Sequence, residues 1–372
     1  MVKRWRSLLL LLSAAPLAGV ALAQNLLIGQ TTGVSGPVAA GVKENIDGAK
    51  LFFDATNAAG GINGRRIEVV TLDDRFEPKL AAENARKLIT ERNVLALFMT
   101  RGTPHTEAIR PLLEQFEVPL VAPSTGAMVL HRPVHPWIFN VRATYQREAE
   151  KAVTHLATVG VERIALVHVD DSFGADGAAG AMKGFDAARR KPVFVEKFDR
   201  AKPDLAPIVK QALAADAQAI VFVAAAAVVA DGTKQLRTAG SRAQIVTLSN
   251  NASGGFIKQM GEHAAGTIVT QVFPHERSMS SAFVRQANDL ARAAGMDGVT
   301  PQMLEGFAAA KVLVEGLRRA GNNPTRAGLQ QALNGFRRVD IGGLEVSFSP
   351  TDHSGLDFAD LSIIGSDGRF RR

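Results

Sequence analysis

From Gln24 onward, short apolar runs alternate with stretches of helical periodicity. The run LLIGQT (Leu26 to Thr31) predicts a strand. Val42, Ile46, Ala49 and Phe53 then recur every three or four residues, which puts them on one face of a helix. Gly60-Gly61 ends that helix, because glycine adopts the left-handed cap conformation without steric penalty. Asn63-Gly64 suits a type I′ turn, whose two central residues need positive φ, and it leads into the strand RRIEVVTLD. Next come a helix on Ala81, Ala85, Leu88 and Ile89, strand VLALFM, a helix on Ile109, Leu112, Leu113 and Phe116, and strands VPLVA and WIFNV. Continuous apolar strands between amphipathic helices predict an α/β lobe with a parallel sheet covered on both faces.

A second series begins at Tyr145: a helix to Val159, strand RIALVHV, a helix near Ala178 to Arg189, strand PVFVEKF and a helix on Leu205, Ile208, Val209 and Ala212. Strands AIVFVA, QIVTLS and TIVTQVF follow in succession, making a second lobe of the same kind. Helical patterns then run from Phe283 to Ala294, from Leu304 to Ala320 and on to Leu333. Without a strand between the first two, they are expected to return and cover the first lobe.

The first residues carry a different pattern. A basic start (Lys3, Arg4, Arg6), an apolar core from Leu8 to about Val20 and Ala21-Leu22-Ala23 before Gln24 read as an export signal over residues 1–23, with a cleaved product in the periplasm. Losing those three basic residues takes the formal charge from +7 to +4. No dense Lys/Arg tract with interleaved aromatics appears, so nucleic acid is not an expected partner. The chain has 372 residues, 46% of them apolar and none cysteine, so it has material for two hydrophobic cores and none for disulfides or Zn-thiolate sites. The missing cysteine also excludes a lipid-modified cysteine at the processed terminus.

Five segments in order, SGPVAAGVKENIDGAKLFFDATNAAGGINGRRIEVVTLDD, VPLVAPSTGA, RIALVHVDDSFGADG, LEGFAAAKVLVEGLRRAG and IGGLEVSFSPTDHSGLDF, resemble the type I periplasmic solute-binding proteins of ABC importers, the Leu/Ile/Val-binding-protein-like group. The resemblance implies two doubly wound, Rossmann-like lobes joined by three crossovers, with a ligand cleft between them and no chemistry performed on the ligand. By that analogy lobe I is residues 24–143 plus 274–350, and lobe II is 144–273 plus 351–372. It further implies a monomer without cofactor or metal that binds a small carboxylate solute, an amino acid or an organic or aromatic acid, and docks on ABC permease subunits in the inner membrane. The alternative is a sensor that delivers its signal to a membrane receptor or kinase. Independent physics agrees on the cleft, since open parallel sheets bind ligands beyond the carboxyl ends of their strands.

Candidate site residues follow from those strand ends. The loop TTGVSGPVAAG lets backbone approach a ligand and offers Ser35, although its glycines do not make a G-x-G-x-x-G fingerprint and it also reads as a plain turn. MTRGTPHTEAI opens a helix, where unpaired N–H groups favour an anion. There the resemblance assigns the ligand carboxylate to Thr103. The competing reading is that Thr103 or Thr106 caps the helix, and Arg101 beside them could pair with a carboxylate. APSTGA matches the family's second carboxylate and amine loop through Ser124, Thr125 and Gly126. Tyr145, the only tyrosine, lies at the first crossover, and Phe173 matches the family's aromatic. Two positions depart from the family. VFVAAAAVVADG replaces a tyrosine-bearing segment, and Ser249 or Asn250 stands where an acid is expected, so the usual counter-charge for an ammonium is missing. Asp171 and Asp231 in adjacent loops are the remaining acidic candidates, and a carboxylate ligand without an α-ammonium is the expectation. Asp73-Asp74 read as turn residues and His131 and His135 as surface loop. No G-x-S-x-G, H-E-x-x-H or Walker motif is present.

Overall fold

The computed structural model describes residues 24–372, so the export signal expected over residues 1–23 lies outside the described residues. In the first series the expected elements form: β1 (Leu26–Thr32), α1 (Ala39–Ala58), β2 (Ile67–Asp73), α2 (Pro78–Thr90), β3 (Ala96–Phe98), α3 (Thr103–Gln115), β4 (Leu120–Val121) and β5 (Ile138–Phe139). Asn63 and Gly64 make the tight turn with φ of 51° and 78°, closing an Ile62–Arg65 bridge. The five strands pair in the order β2-β1-β3-β4-β5, all parallel. Successive strand residues go to opposite faces: Leu97, Leu120 and Ile138 pack under α2 and α3, while Phe98, Val121 and Phe139 join the core on the α1 side.

The second series gives α4 (Tyr145–Thr158), β6 (Ile164–Val169), α5 (Ser172–Ala187), β7 (Val195–Phe198), α6 (Ala206–Ala214), β8 (Ala219–Val223), α7 (Ala226–Thr238), β9 (Gln244–Thr247), α8 (Gly254–Met260) and β10 (Ile268–Gln271). Three differences from the pattern reading appear here. Helices α7 and α8 separate strands that read as consecutive, and α5 starts six residues earlier than its apolar periodicity suggests. The start of α5 and helix α7 are rich in alanine and glycine, which carry little apolar periodicity although alanine favours helix intrinsically, and α8 is a seven-residue helix that opens on two glycines, too short to show a period. The parallel strands run β7-β6-β8-β9-β10, the same winding as in the first sheet.

After β10 come α9 (Ala282–Ala293), α10 (Pro301–Arg319), α11 (Arg326–Asn334), the small pair β11 (Val339–Asp340) and β12 (Glu345–Val346), then β13 (Asp360–Ile364) and β14 (Phe370–Arg371). Helices α9 to α11 return to the first lobe's core, as expected from the missing strand. Glycines make this possible: a Cβ on Gly48 of α1 would meet the Met303 carbonyl oxygen at 1.9 Å, and one on Gly306 of α10 would meet that of Asn45 at 1.9 Å. The two helices therefore touch backbone to backbone. Strands β13 and β14 extend the second sheet antiparallel beyond β10. The chain passes between lobes three times, after β5, after β10 and before β13.

Candidate functional site

Both sheets aim the carboxyl ends of their parallel strands at one cleft, which encloses a cavity of about 280 Å³. One wall comes from loops of the first lobe: Pro37 and Val38 after β1, Phe76 after β2, and Arg101, Gly102 and Thr103 after β3. Opposite stand Val169 at the end of β6, Phe173 at the start of α5, Phe198 at the end of β7 with Arg200 and Pro203 after it, Ala225, Ala227 and Val228 after β8, and Asn250 after β9. Tyr145 closes the hinge side.

Five of the ten residues singled out from sequence line this cavity: Arg101, Thr103, Tyr145, Phe173 and Asn250. The other five stand away from its wall. Ser35 is exposed and bonds Asp73, its hydroxyl donating to Oδ2 at 2.6 Å and its backbone N–H to Oδ1 at 3.2 Å, so the loop serves as a turn. Ser124 accepts from Arg101 Nη1 at 3.2 Å and donates to Glu305 Oε1 at 2.9 Å. The Thr125 hydroxyl lies 2.7 Å from that of Thr103. Gly126 accepts the Tyr145 backbone N–H at 2.8 Å, and a Cβ there would meet the Ala143 carbonyl oxygen at 2.6 Å. Ser249 accepts from Arg142 Nη2 at 2.9 Å. Ser124, Thr125 and Gly126 thus bond the lining residues Arg101, Thr103 and Tyr145, whereas Ser35 and Ser249 bond residues outside the wall.

Arg101 is buried, 5% exposed, and spans the lobes: Nη1 donates to Asn45 Oδ1 at 3.0 Å and Nη2 to the Asn250 carbonyl at 2.6 Å. Neither threonine of the α3 loop caps the helix. The cap position is Gly102, with φ of 97°, and no side chain of the described residues accepts from the first turn. Thr106 instead donates to the Gly102 carbonyl at 2.9 Å. The start of α3 thus keeps backbone N–H groups beside the Thr103 hydroxyl, the arrangement that favours an anion. Helices α1 and α7 likewise begin at the cavity with Val38 and Ala225, whose side chains cannot cap, whereas α5 is capped by Asp171 on the Gly174 N–H at 3.0 Å.

The rest of the wall is apolar and aromatic. Tyr145 meets Phe173 edge-on at 4.8 Å, and Arg142 lies 4.5 Å over the tyrosine ring. Phe76 stacks on His105 at 4.3 Å and carries Arg200 over its ring at 5.0 Å. Arg75 and Phe76 both hold positive φ, 53° and 62°, uncommon for such side chains and stabilised by the Phe76 N–H donating to Asp74 Oδ1 at 2.9 Å. Burial pushes the Asp74 carboxyl up to about 6 and the His105 imidazole down to about 4, so His105 is neutral beneath the cleft at neutral pH. Behind Tyr145, a buried Arg142–Glu148 ion pair joins the crossover to α4. Burial pushes the Glu148 carboxyl up, while Arg142, the Thr270 hydroxyl and the Ser249 N–H hold that rise back.

Among the described residues no Asp or Glu lines the cavity. Asp171 is engaged by the Gly174 N–H and by Arg200 Nε at 2.5 Å, and Asp231 is exposed on α7, accepting from Gln235 at 2.8 Å. Sequence reading missed Phe76, Phe198 and Arg200. Phe198 is the last residue of β7, and Phe76 and Arg200 lie in the loops after β2 and β7, at the carboxyl ends of parallel strands where ligands bind.

A family model described as periplasmic binding protein matches residues 26–358. The chain belongs to that family. Within it the chain is of type I, in the Leu/Ile/Val-binding group. Among its relatives, Leu/Ile/Val-binding protein homolog 3 of Brucella melitensis is 24% identical over 340 residues, covering 88% of each chain. The Leu/Ile/Val-binding protein of Escherichia coli K12 is 22% identical over 259 residues, 69% of this chain and 70% of that one. A crystal structure of a substrate-binding periplasmic protein from Ralstonia solanacearum is 32% identical, with a TM-score of 0.85 over 93% of this chain and 99% of the other.

Proposed function

We propose that this protein is the exported, periplasmic solute-binding component of an ABC importer and captures a small carboxylate-bearing solute between its lobes. The observation that carries this reading is the cleft itself: a cavity between two strand-end walls, with Arg101, the Thr103 hydroxyl and the uncapped start of α3 on one side. The solute's carboxylate meets those donors while its body lies against the opposite wall. Touching both lobes, it favours their approach, since only differential affinity for two states shifts an equilibrium. The closed form then docks on permease subunits, where a separate ATPase drives transport. Ligands named for the relatives, leucine, isoleucine and valine, fit the carboxylate half of this site. Charge-assisted hydrogen bonds and an aromatic wall are sufficient for micromolar binding, about −8 kcal/mol.

Calorimetric titration with small carboxylates and their amides tests the reading. Carboxylates should bind at micromolar concentration and their amides should not. Binding indifferent to the carboxylate, or conversion of a bound compound to product, would sink it.

A further inference from the structure

We infer that the solute is an aromatic monocarboxylate that carries no ammonium group, an inference that rests on the proposed function and narrows its ligand class. An α-amino acid carries its ammonium on the carbon next to the carboxylate. Once the carboxylate sits at Thr103, the ammonium is held inside the same cavity, and no described Asp or Glu lines that cavity. The nearby acids are committed elsewhere. Asp171 caps α5 and pairs with Arg200, Glu305 accepts from Ser124 at 2.9 Å and Gln302 at 2.6 Å, and Glu148 pairs with Arg142. Of the two guanidinium groups that line the cavity, Arg200 is neutralised by its pairing with Asp171, whereas Arg101 bonds only neutral acceptors, so that its field opposes a further cation.

Among the described residues that line the cavity, one buried side-chain polar atom of the second lobe remains open. Asn250, 9% exposed, donates from Nδ2 to the Ala224 carbonyl at 3.0 Å and leaves its Oδ1 without a partner among the described residues. That acceptor is neutral, so it suits a hydroxyl and supplies no counter-charge. The body of the solute faces Tyr145, Phe173 and Phe198, with the edge of Phe76 across the cleft, because the Phe76 faces are taken by His105 and Arg200. Rings around an enclosed space favour a ring, through offset and edge-to-face contacts.

The experiment is calorimetry on the purified protein with three matched pairs: phenylacetate and phenylglycine, 3-phenylpropanoate and phenylalanine, 4-methylpentanoate and leucine, with the amide of each acid as control. An aromatic acid should bind about 100-fold more tightly than its amino acid and about tenfold more tightly than 4-methylpentanoate. If an amino acid binds as tightly as its acid, or 4-methylpentanoate matches the aromatic acids, the inference is overturned while the carboxylate reading stands. If the amides bind as well as the acids, or no carboxylate binds, the carboxylate reading falls and this inference with it. Ala227→Asp adds an acid at an exposed position in the first turn of α7, where a carboxylate is tolerated. It should narrow the acid-to-amino-acid ratio about tenfold, and a ratio that does not move overturns the inference.

Discussion

The two lobes share one winding and differ in what they bring to the cleft. Strand orders β2-β1-β3-β4-β5 and β7-β6-β8-β9-β10 are the same topology, and both put their switch point and strand ends at the cavity. Yet the first lobe contributes Arg101, Thr103 and an uncapped helix start, while the second contributes Val169, Phe173, Phe198 and alanines, with Asn250 and an Arg200 already paired to Asp171. The scaffold decides where a ligand sits, and the loops decide what it is. Under the proposed function this division of labour would also make the cleft a switch, because a solute held by its charge on one wall and by its body on the other would require both.

The largest effect should come from breaking the joint that aligns the two walls. Arg142→Met removes one partner of a buried ion pair whose side chains are 2% and 0% exposed, leaving Glu148 uncompensated. Loss of about 3–5 kcal/mol in folding free energy is expected, measured by denaturant unfolding. A loss below about 1 kcal/mol would mean the pair does not organise the crossover.

Next come the walls themselves, which should respond differently to the same set of ligands. Phe173→Ala takes a nearly buried ring from the second lobe, 7% exposed, and should weaken binding by about 1.5–3 kcal/mol, more for larger solute bodies. Thr103→Ala should cost about 1–2 kcal/mol for every carboxylate alike, because it removes a hydroxyl and not body contact. Titrating both variants with short and long acids separates them. Equal dependence on body size in the two variants would refute the division of labour, and a fall in ligand-free melting temperature with unchanged affinity would reduce Thr103 to its bond with Thr125.

Much of this was legible in sequence, and the gaps have physical causes. Strands such as Ile164–Val169 are continuous apolar runs that can be little else. The return of α10 to the first lobe followed from two helices without an intervening strand. Helix α7 was invisible because Asp231-Gly232 resembles a turn and its alanines leave no periodic stripe, although alanine favours helix. Within the site, the family resemblance pointed to Thr103 and Phe173, and the loop after β3 added Arg101 beside Thr103. They could not tell a lining hydroxyl from a supporting one: Ser124 and Thr103 occupy similar loops, and only packing sets Ser124 behind Arg101. The loop after β2 follows a strand end, but which of its residues faces the cavity depends on the consecutive positive φ angles of Arg75 and Phe76, which the sequence does not announce.

The smallest expected effect concerns a second contact between the lobes, away from the cavity. Glu44, on α1 of the first lobe, accepts the N–H groups of Gly254 at 3.2 Å and Gly255 at 3.0 Å at the start of α8 in the second, together with the Thr300 hydroxyl at 2.6 Å. Burial pushes its carboxyl above the ordinary 4.5, partly held back by Thr300 and those two N–H groups, and Asp47 one turn on raises it further. A raised folded-state value means that the folded protein binds the proton more tightly than the unfolded chain. The stability this group contributes is therefore complete below its ordinary value and is lost as pH climbs through the raised one. Glu44→Gln removes that dependence. Because the residue is only half-buried, the variant should gain on the parent by less than about 1 kcal/mol between pH 4 and pH 7.5. Unfolding both proteins across that range is the measurement. Parallel profiles would show that α1 and α8 do not depend on this carboxylate's charge, and a variant that loses ground as pH rises would show that the ionised group is the better partner for the α8 N–H groups.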